Sequence, residues 1–368
     1  MQAYISAIGT AVPKYKIEQS KIAEFMCKVH QLTEVEKNRL QALYRATGIE
    51  SRYSVLRDYG SGKGDFSFYE NSDDLEPFPG TQKRMKIYEQ EAKDLAYNAS
   101  LDCLNSLKSF RKELITHLIT VSCTGMYAPG LDIDLVNKLE LKPSVERTAI
   151  NFMGCYAAFS ALKVGSAICK SDPEAKVLIV CVELCSIHFQ KNKSEDNMLA
   201  NALFADGGAA ILLESQPSGQ PALSIENFHC DLLSKNAEDM AWKVSDFGFE
   251  MRLSSYVPDI IREGIRKLVE RLKDSLSYPI EHFDKYAVHP GGKKILEAME
   301  EEVGFCKKEN KYAYEVLRNF GNMSSPTILF VLKALWLDLT KSDDQGTILS
   351  VAFGPGLTLE SMVLKIHC

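Results

Sequence analysis

One order of elements occurs twice along this 368-residue chain, and that repetition constrains the fold more than any other feature. In the front part, Leu118–Val121 reads as a strand, Asn151-Phe-Met-Gly-Cys155 opens a helix over Tyr156–Cys169, and Val177–Val182 and Ala209–Leu213 read as strands. In the back part, Tyr286–Val288 reads as a strand ending at His289. Asn319-Phe-Gly-Asn322 then opens a helix over Pro326–Leu339, and strands Thr347–Val351 and Leu359–Leu364 follow. The strand segments are short apolar, β-branched runs bounded by Gly or Pro, whereas the helices carry apolar residues at helical spacing. His289 lies 33 residues before Asn322, and Ser122, at the matching strand end, lies 33 residues before Cys155. An internal duplication of one α/β unit accounts for this agreement and makes Cys155 and Asn322 equivalent helix starts.

Tyr4–Ile8 adds a strand, and Glu89–Leu107, Pro258–Leu276 and Lys293–Val303 add helices long enough to cover sheets. Pro258 and Pro326 stand where a first helical turn tolerates proline. The polar stretch Glu214-Ser-Gln-Pro-Ser-Gly-Gln-Pro221 is the predicted boundary, giving an N-terminal half of residues 1–216 and a C-terminal half of residues 217–368. Asp58–Arg84, rich in Gly, Ser, Asp and Pro, fits neither half and is too long for an ordinary connection, so it reads as a surface excursion or lid.

Composition narrows the function classes. Lys+Arg 43 against Asp+Glu 49 leaves a net charge of −6, with nothing broad to track a phosphate backbone or an anionic membrane, so nucleic acid is excluded as an expected partner. The apolar runs Val177–Val182 and Thr327–Leu332 are far shorter than a bilayer crossing, and Met1–Lys14 has no basic segment leading into an apolar one. The ten cysteines include no CxxC pair and sit mostly inside apolar patterns, which predicts free thiols in a reducing compartment, the cytoplasm, and no metal site.

Three residues stand where chemistry is expected. Cys155 follows Gly154 and opens a helix, where the dipole favours the thiolate. His289, in Val288-His-Pro-Gly-Gly292, ends a strand at a Gly-rich turn, and a near-neutral imidazole there could take the Cys155 proton. Asn322, alone readable as a helix cap, gains its weight from the repeat, because halves packed about a pseudo-twofold axis aim both helix starts at one cavity. The turn Ala352-Phe-Gly-Pro-Gly356 would bring backbone N–H groups to the same place. The order Cys, His, Asn also describes papain-like hydrolases, but the duplicated α/β pattern and the lack of a second Cys shortly before Cys155 oppose that reading.

At these residues the sequence resembles the chalcone synthase-like type III polyketide synthases of the thiolase-fold condensing enzymes. The resemblance covers almost the whole chain: Ile8-Gly-Thr10, Thr116-His-Leu-Ile-Thr120 before Pro129-Gly130, Gly154-Cys155, Ala202-Leu-Phe-Ala-Asp-Gly207, His289-Pro-Gly-Gly292, Gly321-Asn-Met-Ser-Ser325 and Phe353-Gly-Pro-Gly356. It implies an α/β, thiolase-like fold of two pseudo-duplicated halves forming a layered αβαβα core, and a homodimer. By position, Cys155 matches the nucleophile, His289 and Asn322 its partners, and Phe204 the aromatic gatekeeper between the CoA tunnel and the cavity, with Gly354 and Pro355 in the cavity wall.

Several matched positions depart from the plant pattern. The second gatekeeper Phe becomes Met251, a cavity Gly becomes Trp242, and three cavity Thr positions become Cys123, Cys185 and His188. Trp242 and His188 are expected to shrink or reshape the pocket. The Met contributed across the family's dimer interface aligns with Ala128. Of the basic residues at the tunnel mouth only Arg39 has a counterpart, Ala42 and Ala46 replacing the others, so Arg45, Arg52, Lys293 and Lys294 are the candidate substitutes for phosphate contacts.

The resemblance implies an acyl-CoA starter loaded on Cys155, iterative condensation with malonyl-CoA, and cyclisation to a resorcinol, phloroglucinol, chalcone-type or pyrone product, without cofactor or metal. The residue chemistry agrees. Asn has no useful pKa for taking a proton from an acetyl thioester, so the carbanion should come from decarboxylation, with His289 and Asn322 donating to the enolate oxygen. Two alternatives stay open: a ketoacyl synthase III-like enzyme condensing once with an acyl carrier protein as donor, and a non-catalytic thiolase-fold subunit that binds acyl-CoA.

Overall fold

The structure, a computed structural model, describes residues 2–62, 64–108, 110–233, 238, 240–254, 257–276 and 282–368. Its strands are β1 (Tyr4–Ala11), β2 (Tyr15–Glu18), β3 (Ser51–Ser54), β4 (His117–Ser122), β5 (Glu146–Asn151), β6 (Lys176–Leu184), β7 (Asp206–Glu214), β8 (Ala222–Leu232), β9 (Met240–Ser245), β10 (Gly248–Leu253), β11 (Lys285–Val288), β12 (Thr347–Gly354) and β13 (Thr358–His367). Its helices are α1 (Gln19–Val29), α2 (Glu34–Ala46), α3 (Thr81–Asn105), α4 (Leu131–Leu139), α5 (Ala157–Ser171), α6 (Glu195–Leu203), α7 (Val257–Asp274), α8 (Lys293–Val303), α9 (Lys311–Phe320) and α10 (Thr327–Leu337). No helix among the described residues is long and apolar enough to cross a membrane.

Nine strands join in the order β11-β12-β13-β8-β1-β7-β6-β4-β5. From the centre outward, β1, β7, β6 and β4 on one side are mirrored by β8, β13, β12 and β11 on the other. β1 and β8 meet through only Tyr4↔Ser224 and Ile5↔Leu223. The pairings of β4 with β5 and β6, and of β11 with β12, are parallel, and the rest are antiparallel.

The period-two alternation of each strand sorts its side chains into two layers. On β6, Val177, Ile179 and Cys181 face one hydrophobic cluster, shared with α5 and α10, while Leu178, Val180 and Val182 face another, shared with α3. α10 packs against β1, β7 and β11, and α5 against β4, β6 and β13, so these helices lie between the two half-sheets, with α3 and α7 on the outer faces. The sequences fit these places: α10 is buried on all sides from Thr327 to Leu332, whereas α7 buries one stripe of Ile261, Ile265, Leu268, Val269 and Leu272. The expected layered α/β architecture is therefore the one adopted.

The excursion differs from a loose lid. Asp58 is fully buried, and its carboxylate accepts from Ser67 N (3.1 Å), Ser67 Oγ (2.8 Å), Phe68 N (2.9 Å) and Tyr69 N (3.0 Å). Tyr59, Phe66 and Tyr69 pack edge-on or tilted against Phe25 of α1. Arg84, buried on the first turn of α3, donates to the carbonyls of Pro79, Ile187 and Phe189. Lys63, inside this segment, lies outside the described residues.

Candidate active site

The duplicated scaffold brings three distant segments to one chamber. Cys155 sits in the turn before α5, His289 directly follows β11, and Asn322 lies between α9 and α10; all three line one small cavity together with Phe204, Met251, Phe353 and Pro355. Gly154 has φ +73°, and a Cβ there would come within 2.3 Å of Pro355 Cδ, so the chain can turn into α5 under the Gly354-Pro355 loop only with glycine at 154. Gly354 itself packs against Tyr156 rather than lining the chamber.

Asn322 is held from several sides. Its backbone bonds Leu203 O (2.9 Å) and Ala205 N (2.8 Å), while its Oδ1 accepts from Ser324 N (2.8 Å) and its Nδ2 donates to Gly291 O (3.3 Å). An amide with its oxygen occupied, one N–H on Gly291 O and the other toward the Cys155 sulfur is a donor with a fixed direction. Ser324, at φ 58°, adopts a left-handed conformation that a serine tolerates only when its surroundings enforce it. His289 is 1% exposed, and neither ring nitrogen has a partner. Burial pulls its pKa down to about 3, so the imidazole is neutral, able to donate from one nitrogen and accept at the other.

The expected thiolate at Cys155 does not follow at rest. Burial pushes the thiol up to about 12, against the hydrogen bonds from Ser324 and Asn322 that favour the anion. Desolvation outweighs the helix terminus here because the chamber offers no formal positive charge while His289 is neutral. A thiolate–imidazolium pair, formed by proton transfer from Cys155 to His289, would offset two charges that are each disfavoured alone.

Behind the chamber lies a carboxylate that the sequence reading passed over. Glu183 on β6 is fully buried and accepts from Cys123 N (3.0 Å), Thr124 Oγ1 (2.7 Å), Ser325 Oγ (2.7 Å) and the Cys123 thiol (3.2 Å). Cys123 thereby turns away from the cavities into this network, which reaches Ser324 Oγ at 3.5 Å from its sulfur. A lone carboxylate within an otherwise apolar strand was the signal for it.

An inner cavity adjoins the chamber, the two sharing Phe204 and Met251 as walls. Cys185, His188 and Trp242 line it. His188 stacks on Phe249 (4.4 Å between centroids, 9° between planes), and Trp242 stands edge-on to both rings. Trp242 Nε1 donates to Cys123 O (2.6 Å), so its indole is fixed across the cavity. At the far end Tyr59 belongs both to this cavity and to a surface cleft between α1 and the excursion.

His188 is locked neutral. Nδ1 accepts from Phe249 N (2.9 Å) and Nε2–H donates to Thr124 O (2.6 Å), and burial pulls its pKa down to about 3. The unfolded chain takes up this proton near pH 6.5, so between pH 6.5 and about 3 the unfolded state binds more protons and stability drops as the pH is lowered, by up to about 1.4 kcal/mol per unit for one such group. His289 and His30 titrate in the same sense and Asp206, pushed up to about 6, in the opposite sense, so the informative quantity is a difference between proteins. His188→Phe is expected to be less stable than the wild type at pH 7.5 and to lose stability more slowly on acidification. Parallel thermal-midpoint curves below pH 6.5 would show that His188 is not held neutral.

On the other side the chamber shares Leu253, Gly291 and Ile295 with an outer cleft of about 500 Å³. Arg39, Lys293 and Lys294 line that cleft, as does Lys193, which the sequence reading missed, beside the acidic Glu36, Glu195 and Asp196. Arg45 is exposed but lies outside the cleft lining. Arg52 is not at the mouth at all: it is 5% exposed, lines the inner cavity and donates from Nη1 to the carbonyl of Phe204. Alternation along β3 turns it inward, where Gln19 receives its Nε (2.9 Å).

The family models for the chalcone and stilbene synthases match this chain twice, the N-terminal domain over residues 1–217 and the C-terminal domain over residues 225–367. Among curated proteins, probable polyketide synthase 1 of Dictyostelium discoideum is 30% identical over 99% of the chain, which spans 11% of that protein's length. An α-pyrone synthesis polyketide synthase-like protein of Mycobacterium tuberculosis is 30% identical, covering 99% of this chain and 91% of the relative. Of solved structures, the C-terminal type III polyketide synthase domain of Steely1 from Dictyostelium superposes with a TM-score of 0.91 at 28% identity, covering 99% of both chains. A polyketide synthase of the brown alga Ectocarpus siliculosus gives 0.89 at 28% identity, covering 99% of this chain and 98% of that one.

Proposed function

This chain belongs to the chalcone and stilbene synthase family of type III polyketide synthases, acyltransferases that catalyse decarboxylating condensation, and on that premise we propose that Cys155, His289 and Asn322 are its catalytic residues. The observation that carries the assignment is their convergence on one chamber set between an outer cleft with four cationic side chains and an inner cavity. An acyl-CoA fits that path, its phosphates near Arg39, Lys193, Lys293 and Lys294 and its thioester at Cys155.

In the loading step His289 takes the Cys155 proton, the thiolate attacks the thioester carbonyl, and CoA leaves as its thiol with that proton. Malonyl-CoA then binds with its thioester oxygen toward His289 N–H and the Asn322 N–H that acylation of the Cys155 sulfur releases. Carbon dioxide departs, the C–C bonding pair becomes the enolate, and these donors stabilise charge absent from the ground state. The enolate carbon attacks the acyl-Cys155 carbonyl, releasing the thiolate, and the lengthened chain returns to Cys155 for another round. Asn322 has no proton to take up at neutral pH, which supports a malonyl extender over an acetyl one. The relative named for α-pyrone synthesis supports a pyrone among the products.

Mass spectrometry of products from purified protein, labelled malonyl-CoA and a panel of short, long-chain and aromatic acyl-CoA starters tests the reading. Products with two or more malonyl-derived units are expected. Single extensions only, or none with any starter, would favour the initiator or the non-catalytic alternative.

A homodimer is part of the same proposal. β5 forms the sheet's edge with Glu146, Arg147, Thr148 and Ala149 exposed, and the neighbouring α4 and α5 expose Ile133 and Val164. An open edge flanked by apolar side chains is a surface that proteins commonly cover. Sedimentation equilibrium should give twice the 41.1 kDa chain mass, and a monomer at micromolar concentration would refute the dimer.

A further inference from the structure

Arg52 is mounted behind the gate with one nitrogen unpartnered. Its Nε donates to Gln19 Oε1 (2.9 Å), Gln19 Nε2 donates in turn to Ala202 O (2.8 Å), and Nη1 donates to Phe204 O, but Nη2 has no partner. The guanidinium lies 5.9 Å from the centroid of the Tyr44 ring. Among the described residues Arg52 forms no salt bridge, and Asp206 is the acid whose charge acts on it. The neighbouring acid Asp206 is engaged by Val55 N (2.9 Å), Ser186 N (2.7 Å) and Ser186 Oγ (2.6 Å), and no acidic side chain lines the inner cavity. A buried cation whose neighbouring acid Asp206 is engaged elsewhere, and which keeps an unused donor, is unfavourable as it stands, and an acceptor oxygen in the cavity would relieve it.

We propose that Arg52 is a specificity-determining residue that donates from Nη2 to a ketone oxygen of the growing β-keto chain once that chain has passed Phe204 into the inner cavity. The inference rests on the reading of the chamber as a condensing site. Chain geometry selects the oxygen. The thioester carbonyl stays at Cys155, and each extension adds a ketone two carbons farther on, so the first ketone beyond the gate meets the wall that Arg52 forms together with Phe204. A saturated alkyl starter carries no such oxygen. Arg52 therefore acts after the first extension and leaves loading unaffected. A ketone, being neutral, also suits a cavity otherwise lined by Trp242, Phe249, Met251, Asn197 and Asn201.

The test compares wild type, Arg52→Met and Arg52→Lys, using a saturated acyl-CoA starter and malonyl-CoA. Intact-protein mass reads acyl loading on Cys155, and product mass reads the ratio of triketide and longer products to diketide. In Arg52→Met loading should persist while that ratio falls by about tenfold or more, the worth of one charge-assisted hydrogen bond. Arg52→Lys should recover part of the ratio, because it keeps the charge but not the fork that holds two acceptors. An unchanged ratio with intact loading overturns the proposal, as does a parallel fall of loading, first extension and later extension, which would mean that Arg52 acts only by holding the Phe204 backbone. If Arg52→Met does not fold, Arg52→Lys carries the test, and an unchanged ratio there overturns the proposal. A wild type that extends no starter more than once would instead remove the underlying reading of the site.

Discussion

With Cys155 replaced by alanine, product formation is expected to fall by at least about a thousandfold, while malonyl-CoA is still decarboxylated. The two outcomes separate because they draw on different atoms of the same chamber. Holding the acyl group needs the Cys155 sulfur. Stabilising the enolate needs the donors on His289 and Asn322, which line the chamber from other segments and keep their backbone ties in the variant. The substitution removes one buried sulfur, for a stability cost of about 1 kcal/mol, so loss of activity through unfolding is not expected. Residual elongation in Cys155→Ala would point to Cys123, the neighbouring thiol on the Ser324 hydroxyl. Cys123 donates its thiol hydrogen to Glu183 and is held protonated by burial and by that carboxylate, which makes it the poorer nucleophile of the two. Assaying carbon dioxide release and product together in one sample distinguishes these cases directly.

How much of this was legible in the sequence depends on what each residue's place requires. Cys155 and His289 each stand at the end of a periodic run beside a glycine or proline, so local pattern marked them, whereas Asn322 gained its weight from the matched 33-residue intervals that make it the helix start equivalent to Cys155. The strands buried on both faces were legible from local pattern too: β6 and β7 read as unbroken apolar runs, whereas β8 and α2 went unread. β5 was not legible either, because Glu146-Arg-Thr-Ala-Ile-Asn151 lies at an open edge with almost no buried face to impose alternation. Arg52 was misplaced because an arginine in a short polar strand resembles surface. Its burial depends on Gln19 and on the carbonyl of Phe204, partners 33 and 152 residues away. The resting state of Cys155 was misjudged for a related reason. The helix terminus that favours a thiolate is local and readable, whereas the desolvation that overrides it comes from a wall assembled from several distant segments. The excursion was read from its Gly, Ser and Pro content, but what fixes it is the single buried Asp58 gathering four donors.

The second large loss is expected at Asn322, and here the ranking of two substitutions carries the argument. Decarboxylation of malonyl-CoA should fall by about 10²–10³-fold in Asn322→Ala, the usual effect of removing one donor from a developing oxyanion. It should fall further in Asn322→Asp. Aspartate keeps the shape and the acceptor that receives Ser324 N–H, so the strained turn at Ser324 stays supported, but it replaces the whole Nδ2 donor with an oxygen facing Gly291 O and the enolate. Alanine has the opposite profile. It leaves Ser324 N without its acceptor, a stability cost of about 1–3 kcal/mol, yet places no negative charge in the chamber. A purely structural role for Asn322 therefore predicts that Asp outperforms Ala, whereas a donor role predicts the reverse. Release of labelled carbon dioxide from malonyl-CoA reads the order, and thermal midpoints read stability independently. Iodoacetamide should still modify Cys155 in both variants, because His289, the acceptor of the thiol proton, is untouched. An Asp variant that decarboxylates as fast as Ala or faster would remove Asn322 from the oxyanion site and leave His289 as its only side-chain donor.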